Sequence, residues 1–431
     1  MKTSTISQFL AATTIALGFP AFAAEEAAPG YAEDTLSGDW NGLRSDWYRR
    51  GLAVDLGYKW DLLRVTRGGL QSGGRPIGHF DVRLAADLEK LAGWKDATAF
   101  VNFIYDGGGK TNRDYLGSQL SISNIEVPVS TTRFFQVWME QSFADGNASV
   151  LAGLYPIDTE FQAVESAGLF VQPPYGAAPD LALTRGPSIF NNPALGLRAK
   201  WKSKDLGLYA MGAVLDGIPG DPDRPQGTHI RFQRGDGSMQ IAEIGYRPPV
   251  VPAVPGAEPQ ETFNKYALGY WRYTTKVSDL VQVDANGDPE RRRSNGWYAL
   301  AERTLLRWGA GNQTTGNLTA FVRFGATDGD SAAIRQFYNA GVRVRGLLPG
   351  RDEDVFGLAH TRGGIGDKFR ASQALAGIET TTAESATELT YRVQASKWLA
   401  VQPVIQWYRN PGATSATPNA TVVGARVELA L

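Results

Sequence analysis

The stretch Thr421–Leu431, TVVGARVELAL, alternates between apolar and polar positions. From Val423 onward every second side chain is apolar, whereas Gly424, Arg426 and Glu428 occupy the positions between them. Successive side chains of a strand point to opposite faces, so this pattern predicts a strand with one apolar and one water-facing side. Its length also matches that of a tilted strand that crosses a membrane, about 9 to 11 residues.

The same period of two recurs along the chain in sixteen segments. No segment after residue 23 has the run of about 18 apolar residues that a transmembrane helix needs, so a membrane form would have to be a closed barrel. The expected strands are 52–64, 77–89, 96–106, 133–144, 147–155, 194–202, 205–216, 238–247, 263–274, 295–305, 316–325, 336–347, 354–362, 385–396, 399–410 and 421–431. They predict an all-β fold, a sixteen-stranded antiparallel transmembrane β-barrel.

The connections between these segments separate a membrane barrel from a soluble β-sandwich, whose strands would alternate too. Tight turns are expected at Asp145-Gly146, Ser203-Lys204 and Ser396-Lys397. Long loops are expected at 107–132, 156–193, 217–237, 275–294 and 363–384. Short periplasmic turns opposite long extracellular loops are typical of outer-membrane barrels. The Pro-rich stretch 247–260 is an exception, because it makes a long connection on the short side.

The longest connection, residues 156–193, is the third loop on the long side. Sixteen strands enclose a water-filled lumen rather than a packed core. Long ordered loops in compact proteins usually have a function. We therefore expect this loop to fold inward and constrict the lumen; the alternative is a surface loop outside the barrel.

The N-terminal residues predict export. Lys2 is followed by the apolar stretch Phe9–Phe19 and by Ala21-Phe22-Ala23, a small-residue cleavage site. This pattern is typical of a secretory signal peptide, residues 1–23, and the apolar stretch is too short for a membrane anchor. Residues 24–50 then predict a short periplasmic helix at the barrel's end, and residues 51–431 the barrel itself.

Composition excludes several classes of function. The chain has no cysteine, which rules out disulfides and thiolate metal sites. Its 43 basic and 44 acidic residues are dispersed and give a net charge of −1, so we expect no nucleic-acid partner. Nothing in the sequence calls for a cofactor or a metal ion. Of the basic residues, 31 are arginine, whose planar fork of donors suits directional hydrogen bonds.

Residues 36–44, LSGDWNGLR, resemble the mature N-terminal signature of the carbohydrate-selective porin family. Further stretches similar to that family are 91–95, 298–302, 346–354 and 402–403 followed by 410–412. The resemblance implies a barrel in the outer membrane of a Gram-negative-type bacterium. Its inward loops would form an eyelet of arginines, carboxylates and aromatic residues that passes glucose and related sugars. Two departures are Leu431, in place of a terminal aromatic residue, and 170–176, inside the expected constriction loop.

A sugar channel needs groups that recognise hydroxyls and the apolar face of a sugar ring. Carboxylates accept from hydroxyls, arginines donate to them, and aromatic rings stack on the ring face. Trp138 lies beside Gln136 and Glu140 on the water-facing side of its strand and is the expected stacking residue. The candidate binding residues are Asp158, Glu160, Glu165, Tyr175, Asp180 and Arg185 in the third loop, and Asp61, Arg83, Trp138, Glu140, Arg198, Arg343 and Arg345 on the wall.

Two other functions stay open at this point. The excess of arginine would suit an anion-preferring general diffusion porin. A barrel hydrolase is the more distant alternative: His79, His229 and His360 all fall on the extracellular side, but no nucleophile motif accompanies them. We expect no catalytic residues. The expected partners are sugars as permeant solutes, outer-membrane lipid and a possible homo-oligomer.

Overall fold

The computed structural model describes residues 28–248, 261–310 and 313–431, and shows a closed antiparallel barrel in which each strand pairs with the next and the first with the last. The strands are β1 Leu52–Arg67, β2 Ile77–Asp87, β3 Ala97–Gly108, β4 Thr131–Phe143, β5 Ala148–Tyr155, β6 Ala194–Lys202, β7 Leu208–Asp216, β8 Ser238–Tyr246, β9 Asn264–Val283, β10 Pro289–Ala310, β11 Gln313–Thr327, β12 Ile334–Arg345, β13 Val355–Ile365, β14 Ala383–Ser396, β15 Leu399–Arg409 and β16 Ala420–Ala430. All sixteen predicted strands are confirmed.

Helical segments are short and lie outside the strands. The α-helices are α1 Tyr31–Asp34, α2 Leu43–Arg49, α3 Leu88–Ala92, α4 Pro179–Ala182 and α5 Asp367–Leu375; single turns of other helix types occur at Asn112–Leu116, Ile157–Thr159, Glu165–Leu169, Pro173–Tyr175 and Pro411–Ala413. Among the described residues, no helix is long and apolar enough to cross a membrane. The predicted signal peptide and residues 249–260 of the Pro-rich connection lie outside the described residues.

One predicted loop is wrong. Residues 275–294 were expected to form a long loop, but β9 continues to Val283 and β10 begins at Pro289, so only 284–288 connect them. β8 pairs with β9 only as far as Tyr273, and beyond this point β9 and β10 pair with each other. We call residues 274–294 the projecting hairpin. Its charged side chains are compatible with strand structure because this part of the sheet extends past the barrel rim.

The segment before β1 fastens the seam at which the barrel closes. Leu36 N–H donates to the carbonyl of Ala430 at 2.8 Å. The buried Arg44 guanidinium donates to the carbonyls of Leu431 at 3.1 Å and Val54 at 2.9 Å. The segment contains two short helices, α1 and α2, whereas one short helix had been expected. Both lie at the end of the barrel that carries the short turns, which we call the turn end; the opposite end is the loop end.

Two loops enter the lumen from the loop end: loop 2, residues 109–130, and loop 3, residues 156–193. Phe161, Phe170 and Tyr175 of loop 3 are buried with the inward-facing wall residues Tyr298 and Phe321 in one apolar cluster. A second cluster joins loop 2 to the wall in the same way. The predicted inward folding of loop 3 is thus confirmed, and the apolar core of this protein lies inside the barrel.

Candidate functional site in the barrel lumen

Loop 3 is held against the wall by carboxylates that accept hydrogen bonds from its backbone. Glu302 of β10 accepts from the N–H groups of residues 165 and 166, at 3.2 and 2.8 Å. Glu388 of β14 accepts from the N–H groups of residues 171 and 172, at 2.7 and 2.9 Å. Both carboxylates are buried. Each one satisfies two loop donors that have no strand partner, which fixes the path of the loop.

Wall donors bind the carbonyl groups of the same loop. The buried Arg323 of β11 donates to the carbonyls of Gln162 at 2.7 Å and Gly176 at 2.8 Å, and also to that of Pro174. Gln402 of β15 donates to a fourth loop carbonyl at 2.7 Å. The fork of an arginine can serve several acceptors at once. Wall side chains therefore hold loop 3 through both its backbone N–H groups and its backbone carbonyl groups.

Loop 2 is clamped by an ion pair across the seam of the barrel. Asp61 of β1 and Arg426 of β16 form two hydrogen bonds of 2.7 Å. Asp61 also accepts from the Ser123 hydroxyl at 2.6 Å, and Arg426 donates to the Asn124 side chain at 2.6 Å. Glu384 of β14 accepts from the N–H of residue 119 at 3.0 Å. Asp61, expected to face the solute, is instead buried under loop 2.

A charged cluster stands where loop 3 leaves the wall. Glu160 accepts from Arg198 at 2.8 Å, from Lys200 at 3.0 Å and from the Tyr155 hydroxyl at 2.6 Å. Arg198 also donates to Glu140 at 3.0 Å. Burial raises the pKa of Glu160, but the charges of Lys200 and Arg198 and the hydroxyl outweigh it and lower the pKa to about 2. The structure thus brings together three of the predicted site residues and adds Lys200.

Four charged wall residues keep side chains that are 21 to 41% exposed: Arg83, Glu140, Lys200 and Arg345. All four point inward, as their neighbours in the alternation do. Each lies 2.6 to 3.0 Å from a group of opposite charge. The polar surface that water can reach in the lumen therefore carries both signs of charge, in pairs.

The other predicted residues of loop 3 are spread along its length. Glu165 pairs with Arg247 at 2.6 Å. The Tyr175 ring is buried 4.6 Å from the Phe170 ring, and its hydroxyl has no hydrogen-bond partner among the described residues. Asp180 is fully buried. Asp180 and Tyr175 thus belong to the packed side of the loop.

Asp158 and Arg185 hold loop 3 to its surroundings. Asp158 accepts from the N–H of Phe190 at 3.2 Å, which joins the two ends of the loop. The Arg185 guanidinium lies 5.8 Å from the centre of the Tyr273 ring.

Two predicted wall residues, Arg343 and Trp138, face inward but are covered, whereas the neighbouring Arg345 stays partly exposed. Arg343 makes hydrogen bonds of 2.8 and 2.9 Å to Glu261, and Arg345 lies 4.0 Å from the same carboxylate. Trp138 is only 3% exposed, its ring 5.3 Å from that of Phe100 and its Nε1 donating to Gln136 at 3.1 Å. The inward orientation of Trp138 is as predicted, but its ring is packed in the wall.

The sequence interpretation missed the wall residues that clamp the loops. Alternation already put them on the water-facing side of their strands, and a charged or amide side chain in the middle of a strand was the available signal. What alternation could not indicate is that a loop covers them. These residues are Glu243, Glu302, Arg323, Glu384, Glu388, Gln402 and Arg426. Within the described ranges, no group of histidine and acidic side chains is arranged to hold a metal ion.

A closed barrel with an apolar outer face, a charged inner face and loops folded into its lumen defines an outer-membrane channel of the porin class. Residues 71–431 match the family model described as carbohydrate-selective porin, OprB family, and the chain belongs to that family.

Similar proteins are known at the levels of sequence and structure. Porin B of Pseudomonas aeruginosa is 25% identical over 98% of this chain and 97% of that protein. A structure of Pseudomonas putida OprB at high pH superposes with a TM-score of 0.81 at 19% identity, covering 93% of this chain and 99% of that one. An anion-selective porin from Comamonas acidovorans gives 0.50 at 13% identity, over 88% and 100% of the two chains. At these identities the structural likenesses show the fold alone.

Proposed function

We propose that this chain is a passive channel for glucose and related mono- or small oligosaccharides across the outer membrane. Membership of the carbohydrate-selective porin family supports the class of solute. The observation that carries the proposal within the molecule is the pairing of opposite charges at the exposed inner wall, as in Arg83 with Asp81 at 2.7 Å. The barrel acts by diffusion alone and performs no chemistry on the solute.

Paired charges suit a neutral solute that carries many hydroxyl groups. A carboxylate accepts from a hydroxyl, and the neighbouring guanidinium or ammonium donates to the next oxygen. Because each pair nearly cancels its own field, the lumen does not concentrate ions of one sign as a row of like charges would. Such contacts also have to be weak, since a channel that holds its solute cannot pass it. Glu140, Lys200 and Arg83 are the proposed contact residues on the wall.

The pairing also bears on the anion-preferring alternative. Although arginine outnumbers lysine in this chain, Arg198, Arg343 and Arg426 are each bonded to a carboxylate. Their charges are therefore largely neutralised by Glu160, Glu261 and Asp61. The composition favours an anion channel more than the arrangement of the side chains does.

Conductance in planar lipid bilayers tests the proposal. Glucose, maltose and a neutral polymer of equal size are added in turn to one side, and the reversal potential is measured in a potassium chloride gradient. We expect the two sugars to reduce the current at concentrations at which the polymer does not, and the preference between chloride and potassium to be weak. A strong chloride preference without current reduction by sugar would support the anion porin instead.

A further inference from the structure

The projecting hairpin carries four basic residues on its outward face. Arg293 of β10 is directly opposite Lys276 of β9, and Arg291 lies two residues further along on the same side. Arg272 occupies the same face one step closer to the barrel, opposite Asn295. All four side chains are exposed. We call Arg272, Lys276, Arg291 and Arg293 the basic face.

These four charges lack acidic partners within the part of the chain that the structure describes. Arg272 donates to the Gln240 side chain at 2.9 Å, and Arg291 to the Ser278 hydroxyl at 3.2 Å. The nearby carboxylate of Asp328 is occupied by backbone donors, one of them the N–H of Asn295 at 2.7 Å. A surface that faces only water gains little from four like charges placed so close together, since they repel one another.

On the opposite face of the same hairpin, the basic residues are paired with carboxylates. Arg292, between the two outward arginines, lies 2.5 Å from Glu290. Lys368 of α5 contacts Asp279 of β9 and lies 2.5 Å from Asp330. The inner face is therefore neutralised and braced by α5, and only the outer face is left with unpaired positive charge.

The position of the basic face relative to the membrane indicates which partner it contacts. Tyr270 and Trp297 lie opposite each other on the outward side of the same two strands, each 48% exposed, as in the aromatic girdle of an outer-membrane barrel. At about 3.4 Å per residue, Arg272 is about 7 Å beyond this pair along the strand and Arg291 about 20 Å beyond it. The headgroup layer is about 5 to 8 Å thick on each side of a bilayer, so Arg272 lies at its level at the loop end. The other three cations stand above it, where the polar part of an outer-leaflet lipid has to extend outward to reach them.

We infer that the basic face binds the phosphate groups of an outer-leaflet lipid. Arginine offers two parallel donors that match a phosphate, and an anionic headgroup relieves the repulsion among the four cations. The apolar side chains below the face would contact the acyl chains of the same lipid. The inference does not depend on which solute passes through the lumen.

Native mass spectrometry of the whole barrel in detergent tests this inference. The probes are a lipopolysaccharide that carries phosphates on both its lipid A and its inner core, and the same lipid after removal of the phosphates. We expect the protein to retain the phosphorylated lipid and to bind the dephosphorylated one much less. The triple variant Lys276→Gln, Arg291→Gln, Arg293→Gln should bind the phosphorylated lipid at least about tenfold more weakly, because each basic group near an anionic surface contributes to attraction.

Two further variants separate a specific site from general charge. Lys95→Gln, Lys202→Gln, Lys204→Gln removes three exposed cations at the turn end and should bind as the unmodified protein does. Arg291→Lys with Arg293→Lys keeps the charge and should retain most of the binding. Heat-modifiable migration on gels checks that each variant is folded. Equal binding by the two triple variants, or no difference between the two lipids, would overturn the inference.

Discussion

Loop 3 and the projecting hairpin look alike in the sequence and differ completely in the structure. Both were expected to be long extracellular loops. Loop 3 lies inside the barrel with its backbone bonded to Glu302, Arg323 and Glu388, whereas residues 274–294 pair with themselves and extend the sheet. The difference lies in where backbone hydrogen bonds are satisfied, by wall side chains in one case and by a second strand in the other.

The two arrangements differ in what would be lost if they came apart. Loop 3 covers charged groups that are buried only because they are bonded to it. Removing one partner from a buried charge leaves the other uncompensated, which costs several kcal/mol. The hairpin covers no such groups on its outer face. Loop 3 should therefore respond to single substitutions on the wall, and the hairpin should not affect the lumen at all.

The largest expected effect comes from removing part of each region in turn. Replacing Gln172–Leu183 by a short Gly-Ser linker takes away the part of loop 3 that packs against β11 and β12. The single-channel conductance should rise by more than about twofold, because the bare lumen of a sixteen-stranded barrel is a wide aqueous channel. Current reduction by glucose should weaken. Replacing Leu280–Gly287 of the hairpin by a tight turn should change neither quantity.

If both replacements left the conductance unchanged, loop 3 would not set the width of the passage. The constriction would then have to be sought in loop 2, residues 109–130. Glu140 and Lys200 would remain candidate contacts for the solute, but loop 3 would no longer be the element that brings the solute close to them.

A smaller effect is expected from releasing the loop without shortening it. In the double variant Glu302→Gln, Glu388→Gln, one oxygen of each side chain is replaced by an amide NH2 group, which donates and cannot accept from the loop. Each site loses a charge-assisted hydrogen bond, about 1.5 to 3 kcal/mol. Hydrogen exchange at residues 165–166 and 171–172 should become faster, and the open-channel current noisier. The exposed pair Glu33→Gln, Glu379→Gln, whose contacts involve neither loop 3 nor the charged wall residues, is the matched control and should leave both measurements as they were. Equal noise in the two variants would mean that Glu302 and Glu388 do not hold the loop.

The sequence predicted the barrel well because the physics behind it is local. A strand with water on one side and lipid on the other has to alternate, so sixteen alternating segments identify sixteen strands. The ends of β9 and β10 were missed because a strand that leaves the membrane loses its apolar side. Residues such as Val277 and Val283 alternate too weakly to mark the extension.

The candidate site was predicted less well because it depends on contacts between distant residues. Arg198 and Glu140 were selected from the water-facing side of the wall and Glu160 from the third loop, and the structure brings the three together. Asp61 was also selected from the wall and Tyr175 from the third loop, yet both are buried. Alternation assigns a side chain to a face of the wall, but it contains no information on which part of that face a loop covers.

The smallest expected effect is a pH dependence that Asp180 gives to loop 3 and that the projecting hairpin should not show. Its carboxylate is buried in loop 3, and neither oxygen has a hydrogen-bond partner among the described residues. Burial raises the pKa from the usual 3.8 to about 6, against the opposing charge of Arg323. Between these values the inward loop binds more protons than a released loop does. The inward arrangement is therefore most stable below about pH 4, loses stability as the pH rises toward 6, and changes little above it.

Hydrogen exchange of loop 3, corrected for the intrinsic pH dependence of exchange, should accordingly show more opening at pH 7 than at pH 4. Asp180→Asn keeps the size of the side chain but cannot ionise, so the difference between the two pH values should shrink. The projecting hairpin, which holds no buried carboxylate of this kind on its outward face, serves as the internal reference within the same spectra. If loop 3 and the hairpin changed in parallel, or if Asp180→Asn kept the full pH dependence, another group would have to control the loop. A change confined to loop 3 and reduced by the substitution would mean that a buried carboxyl weakens a loop that five wall side chains hold.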